Sequence, residues 1–256
     1  MLRSNSRPSM PIQRLLEILI TNLNAMKIKI LKIYAIVFSL TLTACEYDNF
    51  EAPKSVLSGQ ITHEGAAVQI RNNGPELELW QDGFALRSKI NVYADQNGHF
   101  SAELFDGRYK LTRLSNAPWL QQPTDTILVE VKGNTTINVP VTPYFSVPNV
   151  SASFSGNTVT CGFEVSKVLE SAQVDDVRLF ISTTTIVDNV NNEQNEGFNL
   201  ANLAFGQSMS MTASLNDLLL RKAAKLNIDQ LFVRIGVRSK SAGEYNFSSV
   251  EKIKIK

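Results

Sequence analysis

From Ser55 onward the chain repeats one pattern: short runs in which apolar and polar residues alternate, each closed by a Gly, Asn, Asp or Pro turn signal. A period of two puts every second side chain on one face of an extended strand, whereas a helix needs a period near 3.6. Runs this short can bury an apolar face only against other strands, so the fold class is all-β, expected as two consecutive β-sandwich domains. Val56 to Thr62 opens the series. Glu76 to Trp80 follows, with Leu77 and Leu79 on one face, and then Lys89 to Tyr93, with Ile90 and Val92 pointing the same way. The tight turn Asp95-Gln96-Asn97-Gly98 leads into Phe100, Ala102 and Leu104, and Asp106-Gly107 turns again into Tyr109 and Leu111. At such turns a glycine or asparagine is expected to take positive φ. Thr126 to Val131, the turn Lys132-Gly133-Asn134, and Ile137 with Val139 complete a set of about seven strands, a normal number for one sandwich.

Pro143 and Pro148 bracket a junction, and a second series starts behind it. Val150 to Phe154 and Val159 to Val165 flank a Gly156-Asn157 turn; Val174 to Ser182, Ser208 to Ala213, Leu231 to Arg238 and Val250 to Ile255 follow. This spacing suits an immunoglobulin or fibronectin type III-like sandwich. The asparagine-rich stretch Asp188 to Glu196 reads as a loop, and Leu215 to Leu226 as a short helix with Leu215, Leu218, Leu219 and Leu226 in a stripe. That stripe either covers the end of the second core or docks a partner. The domain plan is therefore 55–145 and 146–256. With 43% hydrophobic and 19% charged residues in 256, and roughly 210 left once a leader is removed, the chain has material for two cores. A formal net charge of +1 gives no field that would gather nucleic acid, and no nucleic-acid partner is expected.

Ahead of the domains, Met26 begins a three-part secretory signal spanning 26–44. Lys27, Lys29 and Lys32 lead, an apolar run from Ile33 to Leu42 follows, and small residues precede Cys45. The run is too short for a transmembrane anchor, which needs about 20 apolar residues. Leu42 to Cys45, LTAC, resembles the lipobox of bacterial lipoproteins, which implies acylation of Cys45 and anchoring through that lipid. Residues 1–25 read either as a mis-called start or as an amphipathic helix from Pro11 to Leu23. Residues 45–54 form an acidic tether carrying Glu46, Asp48 and Glu51; in Bacteroidota-type lipoproteins such residues resemble an address for the outer face of the outer membrane, and otherwise serve as a solvated spacer.

The order Ser58-Gly59-Gln60-Ile61, Asp95 through Gly98 with Phe100, and Asp106-Gly107-Arg108-Tyr109 resembles a carboxypeptidase regulatory-like, transthyretin-type sandwich. ELWQDG at 78–83, LFDGRYKL at 104–111, EVKGNTT at 130–136 and VTPYF at 141–145 resemble a Bacteroidota family of two-domain lipoproteins of unknown function. That resemblance implies a companion of starch-utilisation-type glycan uptake systems and carries over no established activity.

Motifs for chemistry are sparse. Two histidines, His63 and His99, fit no zinc motif, and no GxSxG elbow, P-loop or dinucleotide fingerprint occurs. Asp95, Asn97 and Gly98 lack the final glutamate of an EF-hand and read as a hairpin turn. Cys161 has no basic neighbour to activate it, reads as a small core residue, and makes no disulfide with Cys45. No metal site and no cofactor are expected. Glu76, Glu78, Glu103 and Asp106 are carboxylates, but they stand by turns or on solvent faces, and no catalytic pair is expected. Sugar binding needs a flat ring with hydroxyl-binding groups beside it. Trp80, Tyr93 and Trp119 are the candidates, each also a candidate for core or edge cover. Asp125-Thr126-Ile127 resembles the acceptor triplet for O-linked glycans in Bacteroidota export, with Thr126 as acceptor. The expected protein is a non-catalytic surface lipoprotein that assists polysaccharide binding or uptake, alone or in a transporter complex. The alternative is an adhesin or surface-assembly module that binds protein.

Overall fold

The computed structural model describes residues 51–74, 77–83, 88–121 and 126–255, with part of the stretch 14–30. The described residues of that stretch are helical, and Leu16, Leu19, Ile20 and Leu23 among them are exposed. Among the described residues no helix is long and apolar enough to cross a membrane. Cys45, Glu76 and Asp125 lie outside the described residues.

The first domain is built of β1 (Ser55–His63), β2 (Ala66–Ala67), β3 (Leu77–Trp80), β4 (Lys89–Val92), β5 (His99–Leu104), β6 (Gly107–Arg113), β7 (Ile127–Val131) and β8 (Asn134–Pro140). One sheet sets β2 and β5 against β1 antiparallel, with β8 parallel to β1; the other runs β4-β3-β6-β7. The alternation read from the sequence is realised: Leu57, Ile61, Phe100 and Val139 from one sheet meet Leu77, Leu79, Leu111 and Val129 from the other in one core. Gly59 lies in β1 where a Cβ would run into the Ile137 carbonyl, so glycine is what lets β8 pair so closely. Gly98 takes the expected positive φ of 78°, but Gly107 does not; it is wanted there because a Cβ would stand 2.7 Å from the Gln81 amide. Asp106 beside it caps that corner, accepting from Ser55 Oγ and from Gly133 N at 3.0 Å.

The second domain comprises β9 (Phe145–Ser146), β10 (Val150–Ser155), β11 (Thr158–Glu164), β12 (Ser166–Lys167), β13 (Val174–Ser182), β14 (Gln194–Gly197), β15 (Ser208–Ser214), β16 (Gln230–Ser239), β17 (Tyr245–Phe247) and β18 (Glu251–Lys254), with a helix at Asp217–Lys225. Sheets β10-β11-β15 and β14-β13-β16-β17, the latter with β18 on β16, enclose a second core; β9 pairs with β12. The stretch read as a loop from Asp188 to Glu196 is a loop only at its start, because Gln194–Gly197 pairs with Arg178–Ile181 as an edge strand. Edge pairing uses backbone groups, so a polar sequence carries no sign of it.

β16 is buried along most of its length because both faces of its sheet are covered. Val233 and Ile235 face the second core, while Phe180, Phe247 and Arg234 turn the other way, towards the first domain. Arg71 forms a bidentate ion pair with Glu244, 2.7 Å at its shortest; Asn72 N donates to Asp188 Oδ2, Phe247 N to Gln69 O, and Gly243 N to Asn116 Oδ1. The two sandwiches are thereby docked over a polar, hydrogen-bonded interface.

Candidate functional site

Strand parity builds the site. In β3, Leu77 and Leu79 go to the core, which sends Glu78 and Trp80 to the outer face of the sheet. The same rule sends Arg108 and Lys110 of β6 outward against Tyr109 and Leu111, and Leu128 and Glu130 of β7 outward against Val129 and Val131. Register then aligns them: Lys89, Trp80, Lys110 and Leu128 are cross-strand partners in one row, and Arg108 stands opposite Glu130.

Between these side chains lies a groove of about 660 Å³, lined by Trp80, Asp82, Arg108, Lys110, Leu128 and Glu130 among others. Its size is in the range of small-ligand sites. The two lysines of this face are held in place. Lys110 Nζ pairs with Asp82 Oδ2 at 2.5 Å, and Lys89 Nζ with Glu78 Oε1 at 2.5 Å. The indole N–H of Trp80 donates to Glu78 Oε2 at 3.2 Å, fixing a half-buried ring at the groove wall. Leu128, 77% exposed in mid-strand, offers an apolar face to water.

Of the three aromatic candidates, only Trp80 reaches this groove. Tyr93 is exposed just beyond β4 and does not line it. Trp119 is a correction: although its backbone is irregular, the ring is 2% exposed and packs in the first core, bridged to Pro143, so no ligand can stack on it in this structure. The gain from burying so large an apolar ring outweighs leaving its N–H unpaired. Thr126 is exposed at the entry to β7. Arg108, Lys110, Leu128 and Glu130 were not singled out from the sequence. The alternation in LFDGRYKL could have placed the two bases on the outer face beside Trp80, but only the register shows that Leu128 and Glu130 join them.

Elsewhere the reactive groups are structurally engaged. His63 Nδ1 donates to the Val141 carbonyl at 2.9 Å, and His99 bonds Gln60 at 3.1 Å. Burial pushes the Cys161 thiol up to about 12, as befits a core side chain. Among the described residues no three His, Cys, Asp or Glu side chains are grouped to hold a metal. A recess of about 310 Å³ between the sandwiches is lined by His63, Gln69, Phe145 and Asn246 among others. Two of its polar side chains are engaged: Asn246 Oδ1 accepts from Phe145 N at 3.2 Å within the second domain, and Gln69 Oε1 accepts from Arg234 at 3.1 Å across the interface.

Comparison with known proteins places this geometry. Residues 55–142 match a family profile described as the N-terminal domain of a protein of unknown function, DUF3823, and residues 145–252 match the DUF3823_C domain of unknown function. No curated protein matches the chain. A DUF3823 family protein from Bacteroides ovatus is 35% identical with a TM-score of 0.70, covering 80% of this chain and 100% of its own. One from Parabacteroides merdae is 32% identical, with the same coverage and a TM-score of 0.70. At 19% identity, a protein from Bacteroides uniformis described as a "putative carbohydrate binding protein" shares the fold with a TM-score of 0.64, over 79% of this chain and 100% of its own.

Proposed function

The chain belongs to the DUF3823 family over both of its domains, and from that premise we propose that it is a non-catalytic surface lipoprotein whose first sandwich captures carbohydrate on the outer face of the β4-β3-β6-β7 sheet. The observation that carries this reading is the Trp80 groove: one aromatic ring tied by its N–H to Glu78, with carboxylate, ammonium and guanidinium groups lining the same groove. Sugars are recognised by that combination, in which the ring's C–H face lies on the aromatic and the hydroxyls exchange directional hydrogen bonds. The shared fold of a protein described as carbohydrate-binding agrees with it at the level of fold. Lipid on Cys45 would hold the pair of sandwiches at the outer membrane, facing outward along the acidic tether, as an accessory to polysaccharide uptake.

Isothermal titration of the leaderless protein against plant and host polysaccharides tests the binding, with heat expected for at least one and lost in Trp80→Ala. Uniform absence of heat overturns the reading. For the anchor, Cys45→Ala should release or strand the protein; a variant still lipidated and wholly in the outer-membrane fraction contradicts it. A second reading, a protein-interaction module, is favoured by one observation: the helix Asp217–Lys225 leaves Leu218 77% exposed, and Leu226 just past its end stands out beside Arg221 and Lys225. Recovery of a transporter or pilus component by crosslinking on intact cells, with no glycan heat, would support it instead.

A further inference from the structure

We infer that the groove takes an uncharged, extended glycan that lies across the strands, one sugar ring on Trp80 and the next ring but one over Leu128; this rests on reading the groove as a carbohydrate site.

The direction comes from the register. Trp80, Lys110 and Leu128 are successive partners on β3, β6 and β7, so Trp80 and Leu128 stand two strand spacings apart, about 10 Å. That is the spacing from one ring to the next but one in an extended glycan, whose middle ring then lies over Lys110. The only large apolar side chains on this row are at its two ring positions, and between them stands Lys110, fixed by Asp82 at 2.5 Å. The hydroxyls of a middle ring passing over that pair meet both a donor and an acceptor. The exposure of Leu128 has a role in this arrangement: a ring lying over it removes apolar surface from water, as Trp80 does for its neighbour.

The charge state follows from the same side chains. Among the described residues, three bases on this face, Lys89, Lys110 and Arg108, stand against three acids, Glu78, Asp82 and Glu130, and sum to zero. Lys89 and Lys110 are each within 2.5 Å of a carboxylate, and Arg108 lies directly across from Glu130. At Lys89 or Lys110 a uronate or sulfate would have to displace the paired carboxylate, and at Arg108 it would stand beside the Glu130 carboxylate across the ladder. Neutral hydroxyls have no such conflict, since they add to the paired groups without separating them.

The test is titration of the leaderless protein with two series. One contains neutral glucans, mannans and xylans as mono-, di- and trisaccharides and as polymers; the other contains polygalacturonate, alginate and sulfated glycosaminoglycans. Trp80→Ala and Leu128→Ser, both at the surface, are checked for an unchanged melting midpoint. Expected is binding of a neutral series that strengthens from two rings to three. Trp80→Ala should abolish it, and Leu128→Ser should weaken the trisaccharide about five- to tenfold, the scale of one leucine contact, while leaving the monosaccharide unchanged. Binding confined to acidic glycans, equal affinity for two rings and three, or indifference to Leu128→Ser overturns this inference and leaves carbohydrate capture standing. Binding indifferent to Trp80→Ala removes the groove as the site and the inference with it. No heat with either series overturns both readings.

Discussion

Arg234 lies in the interface with all five of its N–H groups used. Nε donates to Ser248 O at 2.7 Å, Nη1 to Ile70 O and Val187 O, and Nη2 to Gln69 Oε1 and Gln96 O, while the guanidinium lies 4.6 Å over the Phe247 ring. Burial pushes its pKa down to about 9, against the pull of the Asp188 and Asp95 charges, so the group is charged at neutral pH. Arg234→Met would leave three backbone carbonyls, those of Ser248, Ile70 and Val187, unpaired in a buried interface, while Gln96 O keeps Ile70 N, a loss of at least about 3 kcal/mol. Arg234→Lys should not rescue it, because three rotatable donors cannot reach five fixed acceptors. Urea denaturation measures both, and a loss below about 1 kcal/mol would mean that water replaces the guanidinium. Nothing in LFVRIGV announces this role: alternation sends Arg234 to the face opposite Val233 and Ile235, which reads as solvent until another domain covers it. Nearby, Tyr245 donates to Asp176 Oδ2 at 2.5 Å. Burial, then the Asp176 contact, raises the tyrosine to about 12. Burial works to raise Asp176 as well, but the Tyr245 hydroxyl and Arg178 together hold it below the usual carboxylate range. A raised tyrosine contributes stability that is complete below pH 10.0 and lost as pH climbs through about 12, whereas a depressed aspartate contributes above pH 3.8 and loses it as pH falls lower. Melting midpoints should therefore fall at both extremes, and Tyr245→Phe should flatten the alkaline fall; an unchanged alkaline limb would exclude the tyrosine as its source.

Most elements were legible in the sequence because their apolar faces are covered by neighbours of the same domain. The helix Asp217–Lys225 shows where that reading is sound and where it slips. Its start is written in Asn216, whose side chain accepts Leu219 N at 2.8 Å. Leu219 and Ala223 are buried, one turn apart, with Leu215 buried just before them. The fuller leucine stripe does not hold: Leu218 is 77% exposed, and Leu226 is the C-cap, where the backbone has left the helix. Leucine identity alone could not separate the two faces, since which one is buried depends on how the helix lies against the second core. Denaturant titration should find Leu219→Ala costing about 2–5 kcal/mol and Asn216→Ala about 1, with Leu218→Ala within about 0.5. If Leu218→Ala costs as much as Leu219→Ala, the buried face is assigned wrongly. β14 marks the opposite limit: QNEG has no apolar pattern, and Gln194–Gly197 becomes a strand because β13 has a free edge to offer.

At the scale of the whole chain, the junction between Pro143 and Pro148 marks where one domain stops, but it does not tell whether the two move independently. Contacts between domains in one chain are usually small and permit motion. Here the first domain supplies Arg71, Asn72, Gln69, Gln96 and Asn116 to partners in the second, and Arg234 reaches back to Ile70 and Gln96. These residues are far apart in sequence and individually unremarkable, which is why no pattern in the chain reveals the docking. Each bond satisfies a group that either domain alone would have to hydrate, so opening the interface would expose buried polar groups in both halves at once. The two sandwiches should accordingly melt as one unit, with a single calorimetric transition whose van't Hoff and calorimetric enthalpies agree for the leaderless protein. Combining Arg234→Met with Arg71→Ala removes the central guanidinium and the rim ion pair together, and should split that peak in two. Two resolved transitions in the unaltered protein, or a single peak that survives the double variant, would show that the polar interface does not couple the domains.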